Sequence, residues 1–311
     1  MTAPRIAVEP HDPRRPALAA AVEAGGASLG DAATADAAVW TDPADPAGLA
    51  RLLADGARLR WVQVPFAGVE PLIEVIAADA AAHPERRFTC GKGVYAAPVA
   101  EHALMLGLAG MRGLGRYARA ASWTGPYGVN LLGAKVTVLG GGEITAELIT
   151  LLGPFAAEVT VVRNRPQPLP GAARVLGQGE LHAALADADL VVLALALTPL
   201  TRGIVAAPEL AAMKPTAWLV NVARGGHVVT DDLVEALRGG VIAGAALDVT
   251  DPEPLPEGHP LWRLPNCLIT PHVGNTPEMG LKLLSVRITE NVRRFARGEE
   301  LLGPIYPELG Y

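Results

Sequence analysis

The feature that most constrains this chain is an alternation: short runs rich in Val, Leu and Ile recur between Ala- and Leu-rich segments from one end to the other. Such a pattern predicts an α/β protein of parallel strands joined by crossover helices, because parallel neighbours cannot be linked by a tight turn. Near the start the runs are RIAVEP (5–10), AAVWTD (37–42) and LRWVQVPF (59–66). After a long helix expected over PVAEHALMLGLAGMRGL, which Pro98 can open in its first turn, a second series begins at Lys135. Its members are KVTVLG, EVTVVR (158–163), ADLVVLAL (188–195), AWLVNV (217–222), AGAALDV (243–249) and NCLIT (266–270). These six strands with their helices make a complete doubly wound sheet. A last helix is expected from about Pro277 to Phe295, so the doubly wound unit is inserted between an N-terminal half-domain and a returning helix, with boundaries near 100 and 285. At 311 residues the chain is long enough for two such domains, each with its own core.

Charge and composition narrow the partners. A net charge of −6 gives no electrostatic reason to approach nucleic acid or an anionic membrane. MTAPRIAVEP has no basic segment followed by an apolar stretch, and the longest strongly apolar run, Leu190 to Leu197, is too short to span a bilayer. Cys90 and Cys267 stand apart with no CxxC, which fits a reducing cytoplasm. The histidines at 11, 83, 102, 182, 227, 259 and 272 show no HxxxH or HExxH spacing, so no metal is expected.

VTVLGGGEIT (136–145) runs from a strand into three glycines. Gly140 can make the tight turn and Gly142 can let backbone amides reach a pyrophosphate, with Glu143 and Ile144 opening the next helix. A strand-to-helix turn without a ligand reads the same way. Thr145 stands where a third glycine would let helix and strand pack closely, and is expected to cost some of that closeness. An acid that would hold the adenosine ribose belongs about 20 residues on. Arg163-Asn164-Arg165 is found there instead. Two guanidiniums suit a 2′-phosphate, so NADP(H) is favoured over NAD(H), against the alternative of a solvated loop that carries two arginines. Three further residues fall just after strands on one edge: Arg224 in NVARGG, Glu253 in LDVTDPEPLP and His272 in LITPHVGN. Arginine can grip a carboxylate in a two-pronged contact, and an acid beside a histidine tunes it for proton transfer. Each alone has a bland explanation; together they point to a site.

With these residues in view, NVARGGHVVTDDLVEALRGG, AGAALDVTDPEPLPEGHPLWRLPN and LITPHVGN resemble consecutive motifs of the D-isomer-specific 2-hydroxyacid dehydrogenases. GKGVYAAPVAEHALMLGL and WVQVPFAGVE are similar to that family's interdomain helix and substrate loop. The resemblance implies a Rossmann-type doubly wound sheet (101–284) inserted into a smaller flavodoxin-like α/β substrate domain (1–100 plus 285–311). It implies that Arg224 binds the 2-oxo acid, that His272 is the acid/base and that Glu253 hydrogen-bonds it. It further implies that Asp248 receives the nicotinamide carboxamide, that Leu195, Ala196, Val222 and Gly274 lie along the cofactor, and that backbone around Ala67 and Gly68 helps hold the substrate carboxylate. Phe66, Tyr95 and Trp123 are candidates for shaping the pocket, with packing the plainer role for each.

This sequence departs from the family pattern at Thr145 (usually glycine), Glu143 (small or basic) and Ala196 (proline), while Glu253 departs from the glutamine of the formate dehydrogenase branch. The expected activity is hydride transfer between NAD(P)H and a small 2-oxo acid to give a D-2-hydroxy acid, by a homodimer. Two alternatives remain at this point: a related dehydrogenase acting on another small anion such as phosphite, and a non-catalytic, dinucleotide-sensing binding protein.

Overall fold

The computed structural model describes residues 3–309. Two compact units form: one from the residues up to Tyr95 together with those from Thr276 onward, the other from Ala96–Asn275. The first begins with β1 (Arg5–Glu9), α1 (Arg15–Ala24), β2 (Ser28–Leu29), β3 (Ala37–Trp40), α2 (Pro46–Asp55), β4 (Trp61–Gln63), α3 (Ile73–Ala82) and β5 (Arg87–Thr89). The second runs through α4 (Ala96–Met111), α5 (Leu114–Ala118), β6 (Lys135–Leu139), α6 (Glu143–Leu152), β7 (Glu158–Val162), β8 (Arg174–Leu176), α7 (Leu181–Asp187) and β9 (Leu190–Leu193). It continues with α8 (Ala207–Ala212), β10 (Trp218–Asn221), α9 (Thr230–Arg238), β11 (Gly244–Leu247) and β12 (Cys267–Ile269), and α10 (Pro277–Arg297) then rejoins the first unit.

The first unit is a five-stranded parallel sheet in the order β2-β1-β3-β4-β5, the flavodoxin order. Its centre reads as near-continuous apolar residues because both faces are covered. Trp61 is wholly buried there, and its indole N–H donates to the Thr89 hydroxyl at 2.8 Å. That hydroxyl donates to Gln63 Oε1 (2.8 Å), which also accepts from Asn291 Nδ2 on α10 (3.0 Å). A buried polar chain of this kind satisfies every member and fixes α10 on the sheet. On the outer side α10 meets α1 so closely that a Cβ on Gly25 would lie 2.5 Å from Val292 Cβ. The return point expected near 285 falls inside this continuous helix. The division comes ahead of it, between Asn275 and Thr276, where the Thr276 hydroxyl caps the helix by accepting from Met279 N.

The second unit is a seven-stranded parallel sheet, β12-β11-β10-β9-β6-β7-β8, whose order reverses between β6 and β9. Six strands were expected here and three in the first unit; β8, and β2 and β5, are the additions. All three are edge strands of two or three residues, partly exposed, so they carry too little apolar sequence to stand out. The six expected runs of this series all form strands, and five of those cores, Val136–Leu139, Val159–Val162, Leu190–Leu193, Trp218–Asn221 and Gly244–Leu247, are buried at every position.

Candidate functional site

All strands of the second sheet run parallel, so their carboxyl ends share one edge, and the reversal between β6 and β9 opens a place for a ligand there. The candidate residues of this unit lie on that edge. Gly140 follows β6, Arg163 follows β7, Leu195 and Ala196 follow β9, Val222 and Arg224 follow β10, Asp248 and Glu253 follow β11, and His272 follows β12.

The glycine turn is shaped for a close approach. Gly140 has φ +108°, and a Cβ there would lie 2.2 Å from the Ala194 carbonyl oxygen, so only glycine fits without moving β9. Gly142 is the N-cap of α6, exposed, with open space where a side chain would be. The first peptide N–H groups of α6 therefore face outward with the positive end of the helix dipole behind them, an arrangement that fits a pyrophosphate. Thr145 is wholly buried, and its hydroxyl donates to the Gly140 carbonyl at 2.9 Å. The residue in the third glycine position thus ties the helix back to the turn. Glu143 is exposed in the first turn of α6, where the dipole favours an acid, and Ile144 beside it is half-buried. Arg163 lies over the turn, its Nε only 2.9 Å from where a Cβ of Gly141 would be, while Asn164 and Arg165 are exposed. On the β9 side, Thr201 donates to the Ala196 carbonyl at 2.7 Å and accepts from Thr198 N, which holds this segment in a turn although Ala196 is not proline. Leu195 is half-buried and Val222 buried beneath the same edge.

Arg224 is presented by a loop built from buried polar contacts. Asn221, at the end of β10, donates from Nδ2 to the Arg224 carbonyl (2.9 Å) and accepts from Ala223 N (3.0 Å). His227 is fully buried with Nδ1 3.2 Å from Arg224 N and 2.9 Å from Arg224 O. Burial, helped by the Arg224 and Arg202 charges, holds His227 below the usual histidine range, so it is a neutral support. Gly225 touches the loop after β11 so closely that a Cβ would fall 1.9 Å from the Thr250 carbonyl oxygen. The arginine loop and the Glu253 loop are thus packed as one piece.

Glu253 and His272 are brought into contact: His272 Nδ1 is 2.6 Å from Glu253 Oε1, with both side chains about half exposed. A carboxylate only accepts, so Nδ1 carries the hydrogen and Nε2 is left for another partner. His272 adopts φ +53°, a left-handed conformation that costs a non-glycine residue about 1 kcal/mol or more. Asp248 supplies what holds it there. Its carbonyl accepts from His272 N (2.8 Å), its Oδ1 from Thr270 Oγ1 (2.6 Å) and Val273 N (2.9 Å), and its Oδ2 from Gly274 N (2.9 Å). His102 Nε2, on α4, lies 3.1 Å from Asp248 Oδ1 and 3.0 Å from Thr270 Oγ1. Burial pushes the Asp248 carboxyl up, but these hydrogen bonds outweigh it and hold its pKa at about 2. Asp248, read from sequence as a carboxamide acceptor, is also the centre of the histidine loop, with Gly274 packed against it. His102, Thr270, Asn221 and His227 were not singled out as site residues; their only sequence signal is a polar side chain within an apolar helix, at a strand end or, for His227, in the turn that follows Arg224.

Ala67 and Gly68 belong to the first unit, in the loop after β4, where Ala67 is exposed. Tyr95 donates its hydroxyl to the Pro65 carbonyl (2.6 Å) and lies 6.1 Å from the Phe66 ring, so it props this loop from beneath. Trp123 neither packs nor lines a pocket within its unit: it is fully exposed. Among the described residues, no helix is long and apolar enough to cross a membrane, and no group of three or more His, Cys, Asp or Glu residues could hold a metal.

This geometry meets its counterpart in known proteins. Residues 102–274, more than half of the chain, match the model of the D-isomer specific 2-hydroxyacid dehydrogenase NAD-binding domain. A Corynebacterium melassecola chain described as an uncharacterized protein in the proB 3' region is 39% identical over 81% of this chain and 84% of its own. The human glyoxylate reductase/hydroxypyruvate reductase is 37% identical over 58% of this chain and 54% of its own. Among solved structures, a D-isomer specific 2-hydroxyacid dehydrogenase from Xanthobacter autotrophicus Py2, in complex with NADPH and MES, superimposes with a TM-score of 0.85 at 28% identity, covering 100% of both chains. The chain belongs to the D-isomer-specific 2-hydroxyacid dehydrogenase family. Membership carries the family's activity class, NAD(P)-linked interconversion of a 2-hydroxy acid and its 2-oxo acid.

Proposed function

We propose that this chain reduces a small 2-oxo acid of the glyoxylate or hydroxypyruvate type to the D-2-hydroxy acid, with NADPH preferred over NADH. The observation that carries the reading is the 2.6 Å contact between His272 and Glu253 at the sheet edge, with Arg224 on the adjoining loop. The likeness to the human reductase, over 58% of the chain, supports the substrate class.

In this reading Arg224 binds the substrate carboxylate and carbonyl oxygen through its guanidinium, and the backbone near Ala67 and Gly68 assists. The bound nicotinamide supplies the hydride. As negative charge grows on the carbonyl oxygen, Arg224 stabilises it and His272 delivers the Nε2 proton. Glu253 accepts from Nδ1, fixes the ring and stabilises the imidazolium before transfer. In the oxidative direction the neutral imidazole takes the hydroxyl proton at the same atom. The first turn of α6 and the Gly140–Gly142 turn would hold the pyrophosphate, with Leu195, Ala196, Val222 and Gly274 alongside, and Asp248 would receive the carboxamide. Arg163, with Asn164 and Arg165, supports the NADPH preference, since five guanidinium donors suit a 2′-phosphate where NAD-specific relatives carry an acid.

A homodimer through the second unit belongs to the same reading, as the family resemblance implies. Cys90 and Cys267 are both buried and form no disulfide, which suits a reducing cytoplasm. The decisive experiment is a screen of 2-oxo acids with NADPH and NADH, run beside phosphite oxidation. Reduction of glyoxylate or hydroxypyruvate at higher kcat/KM with NADPH is the expected outcome. Turnover confined to phosphite, or tight NADPH binding without turnover of any acid, would replace this reading with one of its alternatives.

A further inference from the structure

The His272 loop is held in a left-handed turn by one carboxylate, and that carboxylate is itself held from outside the loop. His102 reaches it from α4, the side chain almost buried at 13% exposure, with Nε2 3.1 Å from Asp248 Oδ1 and 3.0 Å from Thr270 Oγ1. The single Thr270 hydroxyl hydrogen is committed to Asp248 at 2.6 Å. A lone pair on His102 Nε2 would then face only lone pairs, so this nitrogen must carry a hydrogen and donate it to the pair. On its other side the imidazole packs against Gly274, where a Cβ would lie 3.6 Å from His102 Cδ2. The ring therefore adds a third contact to Asp248 Oδ1, beside Thr270 and Val273, while Gly274 N meets Oδ2; these are the residues on either side of His272.

From this geometry we infer that His102 is a positioning residue for proton transfer: its Nε2–H orients the Asp248 carboxylate and the Thr270 hydroxyl, and through them sets the direction of the His272 ring. The inference rests on the reading of His272 as the acid/base. A rigid supporting shell matters because a displacement of about 1 Å at the reacting groups can lower turnover about a hundredfold. His102→Leu fills similar volume and removes the donor; His102→Gln keeps an N–H near the Nε2 position and cannot change charge.

The test measures kcat and KM for the 2-oxo acid and the dissociation constant for NADPH in these variants, with His272→Gln as the reference. The expected result is a fall in kcat of tenfold or more for His102→Leu, with KM and NADPH affinity within about threefold of the parent, and recovery of most of kcat in His102→Gln. The solvent isotope effect on kcat should rise in the leucine variant, since a misdirected Nε2 makes proton transfer limiting. Thr270→Val removes the same link from the other end and should reproduce the loss, while Thr270→Ser should not. Parental kcat in both His102→Leu and Thr270→Val, with His272→Gln inactive, overturns the positioning role alone. Equal loss in His102→Leu and His102→Gln, with weakened NADPH binding, marks His102 as packing and overturns it too. An active His272→Gln variant would instead remove the acid/base reading beneath it.

Discussion

The glycine turn after β6 and the histidine loop after β12 lie on the same sheet edge but are held together in different ways. The turn depends on backbone: Gly140 at φ +108° under the Ala194 carbonyl, and the Thr145 hydroxyl as a single stitch. The histidine loop depends on one buried carboxylate that meets Thr270, Val273, Gly274 and His102 and keeps a non-glycine residue at φ +53°. The difference teaches that a tight strand-to-helix turn can be made largely from backbone shape and tolerates side-chain change, whereas holding a histidine at positive φ takes a network in which each part has few substitutes.

The largest effect that sharpens this contrast is expected at His272. Replacement by alanine should lower kcat by about two to four orders of magnitude while NADPH binding holds, measured by steady-state kinetics and fluorescence titration. A variant with near-parental kcat and only a raised KM would remove the acid/base role. Arg224→Ala should come next, costing roughly tenfold to a hundredfold in kcat/KM for the 2-oxo acid, the value of a charge-assisted contact. Asp248→Asn should follow with a stability loss of about 2 kcal/mol at neutral pH, since the carboxyl titrates at about 2 rather than 3.8. A folded-state value below the free one means that this contribution is complete above about pH 4 and disappears as pH falls toward 2. Urea melts across that window should show the acid loss in the parent and little of it in Asp248→Asn.

On the side of the turn the effects should be smaller. Arg163→Ala is expected to weaken NADPH about tenfold and leave NADH unchanged. Equal kcat/KM for the two cofactors in the parent chain would end the proposed preference. Thr145→Val should cost only about 1 kcal/mol, the value of one hydrogen bond, with kcat intact. Should Thr145→Val injure turnover more than Asp248→Asn does, the contrast between the two loops collapses.

Much of this architecture is legible in the residues themselves. Runs such as Val136–Leu139 and Leu190–Leu193 are buried on both faces, so period and composition give them away. The positions of Arg224, Glu253 and His272 after successive strands follow from the same reading, and so do the Gly140 turn and Arg163. What is not legible depends on contacts between distant segments. His102 and Thr270 are separated by 168 positions, and no local pattern connects a histidine in an apolar helix to a threonine at a strand end. Thr145 is the reverse case. Judged against a glycine pattern it is a loss, and only the position of the Gly140 carbonyl shows what its hydroxyl does. The edge strands β2, β5 and β8 escape notice because strands of two or three residues gain their stability from a neighbour rather than from their own composition.

Gly225 carries a consequence for how such an enzyme can change. With no space for even a methyl group against the Thr250 carbonyl, the loop that carries Arg224 and the loop that carries Glu253 are locked in register. A substitution at Gly225 would have to move both loops at once, so the spacing of Arg224 and Glu253 is fixed by backbone contact rather than by the charged side chains themselves.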